Sequence, residues 1–150
     1  NRKSLIIFYV LTAIFLSSLA IAEYDKYFFL WANRQETQDA FSTGLVDVGN
    51  YLNILPDNID KYVVVNMSGT LVNGIPMPAQ TPIFIERIKY KEPRAKYILP
   101  ENMDKIDKNK EAILVPLDHN IDPMMEIISK FPDGKLEQYQ GVWIYKLNQK

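Results

Sequence analysis

The only histidine of the chain, His119, stands in the run Asp118-His119-Asn120-Ile121-Asp122, where an imidazole and carboxylates come together. Such a cluster could ligate a metal ion or run acid–base chemistry. The same residue types also make an ordinary connection: Asp122 caps a helix, Asn120 forms a turn and His119 sits exposed in the loop, and this structural reading is the stronger one. One histidine leaves no set of imidazoles for a multi-histidine metal site, and the absence of cysteine removes thiol nucleophiles, disulfides and cysteine-ligated zinc together. Asn66-Met67-Ser68-Gly69 is a second polar run. It is no phosphate loop, because neither Gly-x-Gly-x-x-Gly nor Gly-Lys-Thr occurs in the chain. Asn66-Met67-Ser68 also matches a glycosylation acceptor, a pattern too short to weigh. Glu86 and Glu92 have no partner carboxylate at a spacing suited to glycoside hydrolysis. Tyr27-Phe28-Phe29-Leu30-Trp31 could be a stacking platform, but an apolar run lies just before it, which favours a place at a membrane interface.

Two stretches of different composition carry these residues. Leu5 to Ala22 form an uncharged apolar run, about long enough for a hydrocarbon core. Its polar residues, Thr12, Ser17 and Ser18, are ones a helix satisfies through its own carbonyls. Arg2 and Lys3 precede the run, and Tyr24, Tyr27, Phe28, Phe29 and Trp31 follow it. The basic side places the N-terminal end in the cytoplasm and the residues after about 23 outside it. A cleaved signal peptide is the competing reading, since Ala20-Ile21-Ala22 is an acceptable cleavage site. The length of the run, and a start on Asn rather than Met, favour a retained anchor that follows further chain. Residues 1–35 are thus expected to be a transmembrane helix with an interfacial aromatic segment, and 36–150 an extracytoplasmic domain.

Over the whole chain 17 basic and 18 acidic side chains nearly cancel, to a net charge of −1. That argues against the basic face of a nucleic-acid binder and against a polybasic membrane-surface protein. The domain stretch alternates between element types. Phe41, Leu45, Val48, Leu52 and Leu55 recur at helical spacing over 36–55, ended by Pro56-Asp57. Tyr62-Val63-Val64-Val65 reads as a buried parallel strand. A long loop without period, 66–80, follows. Thr81-Pro82 then reads as an N-cap and first-turn proline of a short helix. Ala95 to Leu99 and Ala112 to Val115 are two more strands, and Asp122-Pro123 opens a helix through Phe131 with Met124, Ile128 and Phe131 on one face. Lys135 to Tyr139 and Val142 to Leu147 form a hairpin about Gln140-Gly141, which is expected to bury Trp143. The fold class expected is a small layered α/β domain, its sheet mostly parallel with a C-terminal antiparallel hairpin.

The serial order of these features resembles the C-terminal end of bacterial polytopic membrane glycosyltransferases of the C-type fold, related to the dolichyl-phosphate-mannose protein mannosyltransferases. A last span precedes Tyr27-Phe28-Phe29-Leu30-Trp31. Glu36-Thr37-Gln38-Asp39-Ala40-Phe41, Gly49-Asn50-Tyr51-Leu52 and Tyr62-Val63-Val64-Val65-Asn66 come next. Gly74-Ile75-Pro76-Met77-Pro78-Ala79-Gln80-Thr81, Phe131-Pro132-Asp133-Gly134 and Val142-Trp143-Ile144-Tyr145 complete the series. In that family a bundle of spans binds a polyprenyl-phosphate sugar, and acidic residues of early extracytoplasmic loops serve the transfer. Those parts have no counterpart in these residues, so the resemblance assigns no catalytic residue, metal or cofactor. It implies a domain over the membrane site that shapes the acceptor side. The expected ligand or acceptor contacts are Asn66, Ser68, Gly74 and Gln80 of the long loop, with Asp118 and His119. The expected partners are membrane lipid, the upstream transmembrane portion of the same protein, and a lipid-linked sugar with its acceptor, but no nucleic acid. The alternative from another class is a secreted or anchored α/β binding module without enzymatic activity.

Overall fold

The computed structural model describes residues 1–108, 110–118 and 120–147. The chain divides into two compact units, Asn1–Ser42 and Thr43–Lys150.

In the first unit, helix α1 (Arg2–Tyr24) continues without interruption into wider π-type turns over Asp25–Trp31. No residue of either is buried. The run Arg2–Trp31 is 30 residues, long and apolar enough to cross a membrane. At about 1.5 Å per residue it is roughly 45 Å long, more than the ~30 Å of a hydrocarbon core. Ser18 Oγ donates to the Phe15 carbonyl at 2.8 Å, so this hydroxyl is satisfied inside the helix as its sequence position suggests. The short helix α2 (Gln35–Ala40) ends at Ser42, whose φ is 51°. The single helix expected over 36–55 is therefore two. A left-handed residue ends the first at Ser42, and Phe41, counted above in the apolar stripe, is 67 % exposed with its ring edge-on to Trp31 at 6.1 Å.

The second unit begins with α3 (Thr43–Ile54) and β1 (Asp60–Val64). The loop that follows is not featureless. It holds a two-residue hairpin, β2 (Leu71–Val72) and β3 (Ile75–Pro76), closed by Asn73 and Gly74 at φ 52° and 80°. Asn-Gly is the pair that tolerates two positive φ values in succession. A 3-10 turn, Met77–Ala79, leads into α4 (Gln80–Tyr90). Its N-cap is Ala79, with no capping side chain, so Thr81 lies inside the first turn instead of capping it. Then come β4 (Lys96–Ile98), a 3-10 segment Pro100–Lys105, β5 (Ala112–Pro116), α5 (Ile121–Lys130), β6 (Lys135–Tyr139) and β7 (Val142–Leu147).

The sheet order is β4-β1-β5-β7-β6. β4, β1 and β5 run parallel, and the β6–β7 hairpin adds to β5 antiparallel. This is the α/β architecture the element order implies, with the hairpin at one edge. Strand alternation splits the core in two. Val63, Val65, Ile113 and Val115 meet Leu45, Val48 and Leu52 of α3 and Ile83 of α4 on one face. Tyr62, Val64 and Leu114 meet Ile127 of α5 and Phe131 just past its end on the other. The buried stripe of α5 runs through Met124 and Ile127, with Ile128 only half-buried. Gly49 explains how two helices share one face: a Cβ there would stand 2.7 Å from the Ile85 Cβ, so the glycine permits the α3–α4 approach. Trp143 is half-buried, not buried. It pairs with Gln138 of edge strand β6, whose residues are mostly exposed.

Candidate functional site

Open parallel sheets place ligands at the carboxyl ends of their strands, where loops diverge. Here the chain leaves β1 at Asn66, β4 at Leu99 and β5 at Leu117. A groove of about 610 Å³ opens at that edge. Asn66, Ser68 and Gly69 line one wall, Leu99 and Glu101 another, and Asp122 and Glu126 of α5 a third.

The wall next to β1 is fixed by one side chain. Asn66 Nδ2 donates to the Asp118 carbonyl at 2.9 Å, and the Asp118 N–H donates to Asn66 Oδ1 at 2.8 Å. The amide thus ties the exit of β1 to the exit of β5, and both ends of it are occupied. The Asp118 carboxyl turns the chain into α5: Oδ1 accepts the Asn120 N–H at 3.1 Å, and Oδ2 accepts the Asn120 side-chain amide at 2.9 Å. Asn120, not Asp122, occupies the N-cap, and Asp122 lies in the first turn, where a negative charge suits the helix dipole.

Of the residues singled out from the sequence, Asn66 and Asp118 are bonded to each other and Ser68 lines the same groove. Gly74 lies at the tip of the β2–β3 turn and Gln80 is the first residue of α4; neither lines the groove. His119 lies outside the described residues. Tyr24, Tyr27, Phe28 and Phe29 are exposed around the end of the long helix, and Trp31 stacks on Tyr27 at 4.9 Å.

The charged groups of the groove are Glu101, Asp122 and Glu126, and no lysine or arginine lines it among the described residues. Lys130 stands behind Glu126 at 3.4 Å and donates to the Pro100 carbonyl at 3.3 Å. Carboxyl oxygens accept hydrogen bonds, so this lining suits a ligand rich in O–H or N–H donors and repels a phosphate. Among the described residues no group of three histidine, cysteine, aspartate or glutamate side chains is placed to hold a metal ion.

A second polar cluster escaped the sequence reading. Glu86 is fully buried on α4. Its Oε1 accepts the N–H groups of Arg94 and Ala95 at 3.0 and 3.2 Å, and its Oε2 accepts the Tyr97 hydroxyl at 2.8 Å. Burial, and then the Glu86 charge, push the Tyr97 phenol well above its ordinary range. Arg94 bonds to Asp57 and to the Leu52 carbonyl, and its guanidinium lies 3.8 Å from the Tyr90 ring centroid. Lys61, also buried, donates to the carbonyls of Pro56 and Ile59 at 2.6 and 2.9 Å. Its pKa is lowered, first by burial and then by Arg94. Every charged member of this cluster has protein partners, so it acts as a clamp joining α3, α4 and the entry to β4. No local sequence signal marks it, because its partners come from separate elements.

No protein-family model, curated protein or solved structure matches the chain.

Proposed function

We propose that this chain is the membrane-anchored, extracytoplasmic C-terminal end of a glycosyltransferase that takes its sugar from a polyprenyl-phosphate carrier. In this reading Arg2–Trp31 holds the domain to the bilayer, and the residues after about 23 lie outside the cytoplasm. The domain shapes the acceptor side of the site, and the chemistry belongs to an upstream transmembrane portion. The supporting observation is the lining of the groove at the strand ends, with Glu101, Asp122, Glu126 and Ser68 and no basic side chain among the described residues. Such a lining accepts hydroxyl groups and disfavours the phosphate of a donor, which fits an acceptor surface.

The test is transfer from polyprenyl-phosphate sugar by the membrane protein that carries this domain. Ser68→Ala and Glu101→Gln should raise the KM for acceptor by roughly three- to tenfold each, with kcat nearly unchanged, because each removes a hydrogen bond made before and during transfer. Wild-type KM in both variants would remove the groove from the acceptor site. A protein without transferase activity whose domain still binds saccharide would favour the binding-module reading.

A further inference from the structure

A second cleft lies away from the strand-end groove, between α3 and the β6–β7 hairpin. Asp47, Asn50, Tyr51 and Ile54 stand at i, i+3, i+4 and i+7 on α3 and so share one helix face. Opposite them are Tyr139 and Gln140 at the hairpin tip. Together they line a pocket of about 150 Å³. That is roughly five water volumes at ~30 Å³ each, room for one small ring and too little for a chain or a drug-sized molecule.

Tyr51 is the unusual member. It is only 6 % exposed, yet its hydroxyl makes no hydrogen bond to any described residue. The hydroxyl is not among the buried unpaired polar atoms, so its oxygen reaches the cleft and is free to meet a ligand. Tyr51 also lines a second pocket, of about 190 Å³, together with Glu111 and Lys146. Burial, then Glu137, then Tyr139 raise its pKa to about 12, so near neutral pH it is a proton-bearing donor.

The remaining members are equally uncommitted. Among the described residues, Asp47, Asn50 and Gln140 make no side-chain hydrogen bond or ion pair. The Tyr139 ring is 41 % exposed and inclined to the Tyr51 ring at 5.4 Å between centroids. The nearby charges, by contrast, are already spent: Glu137 pairs with Lys135 at 3.0 Å and with Lys146 at 2.6 Å.

We infer that this cleft binds one neutral sugar ring, with its C–H face on Tyr139 and its hydroxyls on Asp47, Asn50, Gln140 and Tyr51. The aromatic ring offers an apolar face to the ring carbons. A carboxyl, two amides and a phenol offer acceptors and donors to hydroxyls that both give and take hydrogen bonds. An anion would be opposed by Asp47. An ammonium group has donors only, so it would leave the N–H donors of Asn50 and Gln140 and the Tyr51 hydroxyl proton without an acceptor. The inference stands apart from the transferase reading, since it needs only the cleft.

The test uses the full chain in phospholipid nanodiscs, free of sugar-headed detergent. Saturation-transfer NMR titrations would be run with glucose, galactose, mannose and N-acetylglucosamine. At least one should bind saturably with a dissociation constant in the millimolar range, as expected for a single small ring. Tyr139→Ala should weaken it about tenfold. Tyr51→Phe, which keeps the buried ring, should weaken it about fivefold, with the thermal melt retained as the check on folding. Lys105→Ala, an exposed change that lines neither the cleft nor the strand-end groove, should leave it unchanged. No saturable binding of any of the four sugars, or binding indifferent to both tyrosine variants, would overturn the assignment.

Discussion

Leu11 and Leu114 are the same residue in opposite surroundings. Leu11, on the long N-terminal helix, is 61 % exposed, and its neighbours Ile7, Ile14 and Phe15 are exposed with it. Leu114, on the central strand of the domain, has no exposed surface and sits among Tyr62, Val64 and Ile127. The domain sorts its apolar side chains by period, two for the strands and three to four for the helices, so that each face has an inside. The helix does no sorting: it is apolar all round. A helix of that kind is stable where the solvent is itself apolar, and there its backbone must be satisfied internally, as Ser18 and the uninterrupted helical run show. One chain thus carries two arrangements of apolar side chains, one sorted by face and buried in the domain, the other apolar all round on a helix long enough to cross a membrane.

The comparison is broken most strongly by making the same substitution in both places. Leu114→Ala should lower the stability of the domain in the full chain by about 3 kcal/mol, through lost burial and a cavity. Leu11→Ala should leave it within about 0.5 kcal/mol, because that side chain is exposed and belongs to neither core cluster of the domain. Urea transitions followed by far-UV circular dichroism in nanodiscs would read both. A smaller effect probes how the domain keeps charge inside its core. Tyr97→Phe removes one of the three donors to Glu86 and should cost about 1.5 kcal/mol in the same measurement.

The smallest effect compares the two hairpin turns. Asn73-Gly74 and Gln140-Gly141 both have two successive positive φ values. Asparagine tolerates this and glutamine does so poorly. Gln140→Asn should therefore stabilise the domain by about 0.5 kcal/mol, and Asn73→Gln should destabilise it by a similar amount. Equal and negligible shifts would mean that the turns are held by their strands instead of by their own residues.

These turns also show what the sequence could reveal. Gln140-Gly141 was legible because two alternating runs flank it, and the hairpin boundaries follow from that pattern. Asn73-Gly74 carries the stronger turn signal, yet its strands are two residues each and give no period to recognise. The break between α2 and α3 was illegible for another reason: the apolar spacing continues through Phe41, and only the backbone at Ser42 departs from the helix. Asn66 and Asp118 were both marked as candidates from their places after strands, and they meet because β1 and β5 are parallel neighbours in register. In the sequence Glu86 is marked only by the lack of a partner carboxylate; its partners in the fold, Arg94, Ala95 and Tyr97, lie beyond the end of α4 and leave no local signal. The α3–hairpin cleft joins residues from opposite ends of the domain and could be seen only once the sheet order was known.

The central claim is that the long helix spans a bilayer and the domain lies outside it. The chain has no cysteine, so one introduced thiol reports one position. Ser4→Cys and Thr70→Cys, each expressed in bacteria, would be treated in intact spheroplasts with a membrane-impermeant maleimide, and the membranes then washed with carbonate. The account predicts that both proteins stay in the washed membranes, that Thr70→Cys is labelled from outside, and that Ser4→Cys is labelled only after permeabilisation. Release of the protein by carbonate, a processed chain beginning at Glu23, or the reverse labelling pattern would contradict it.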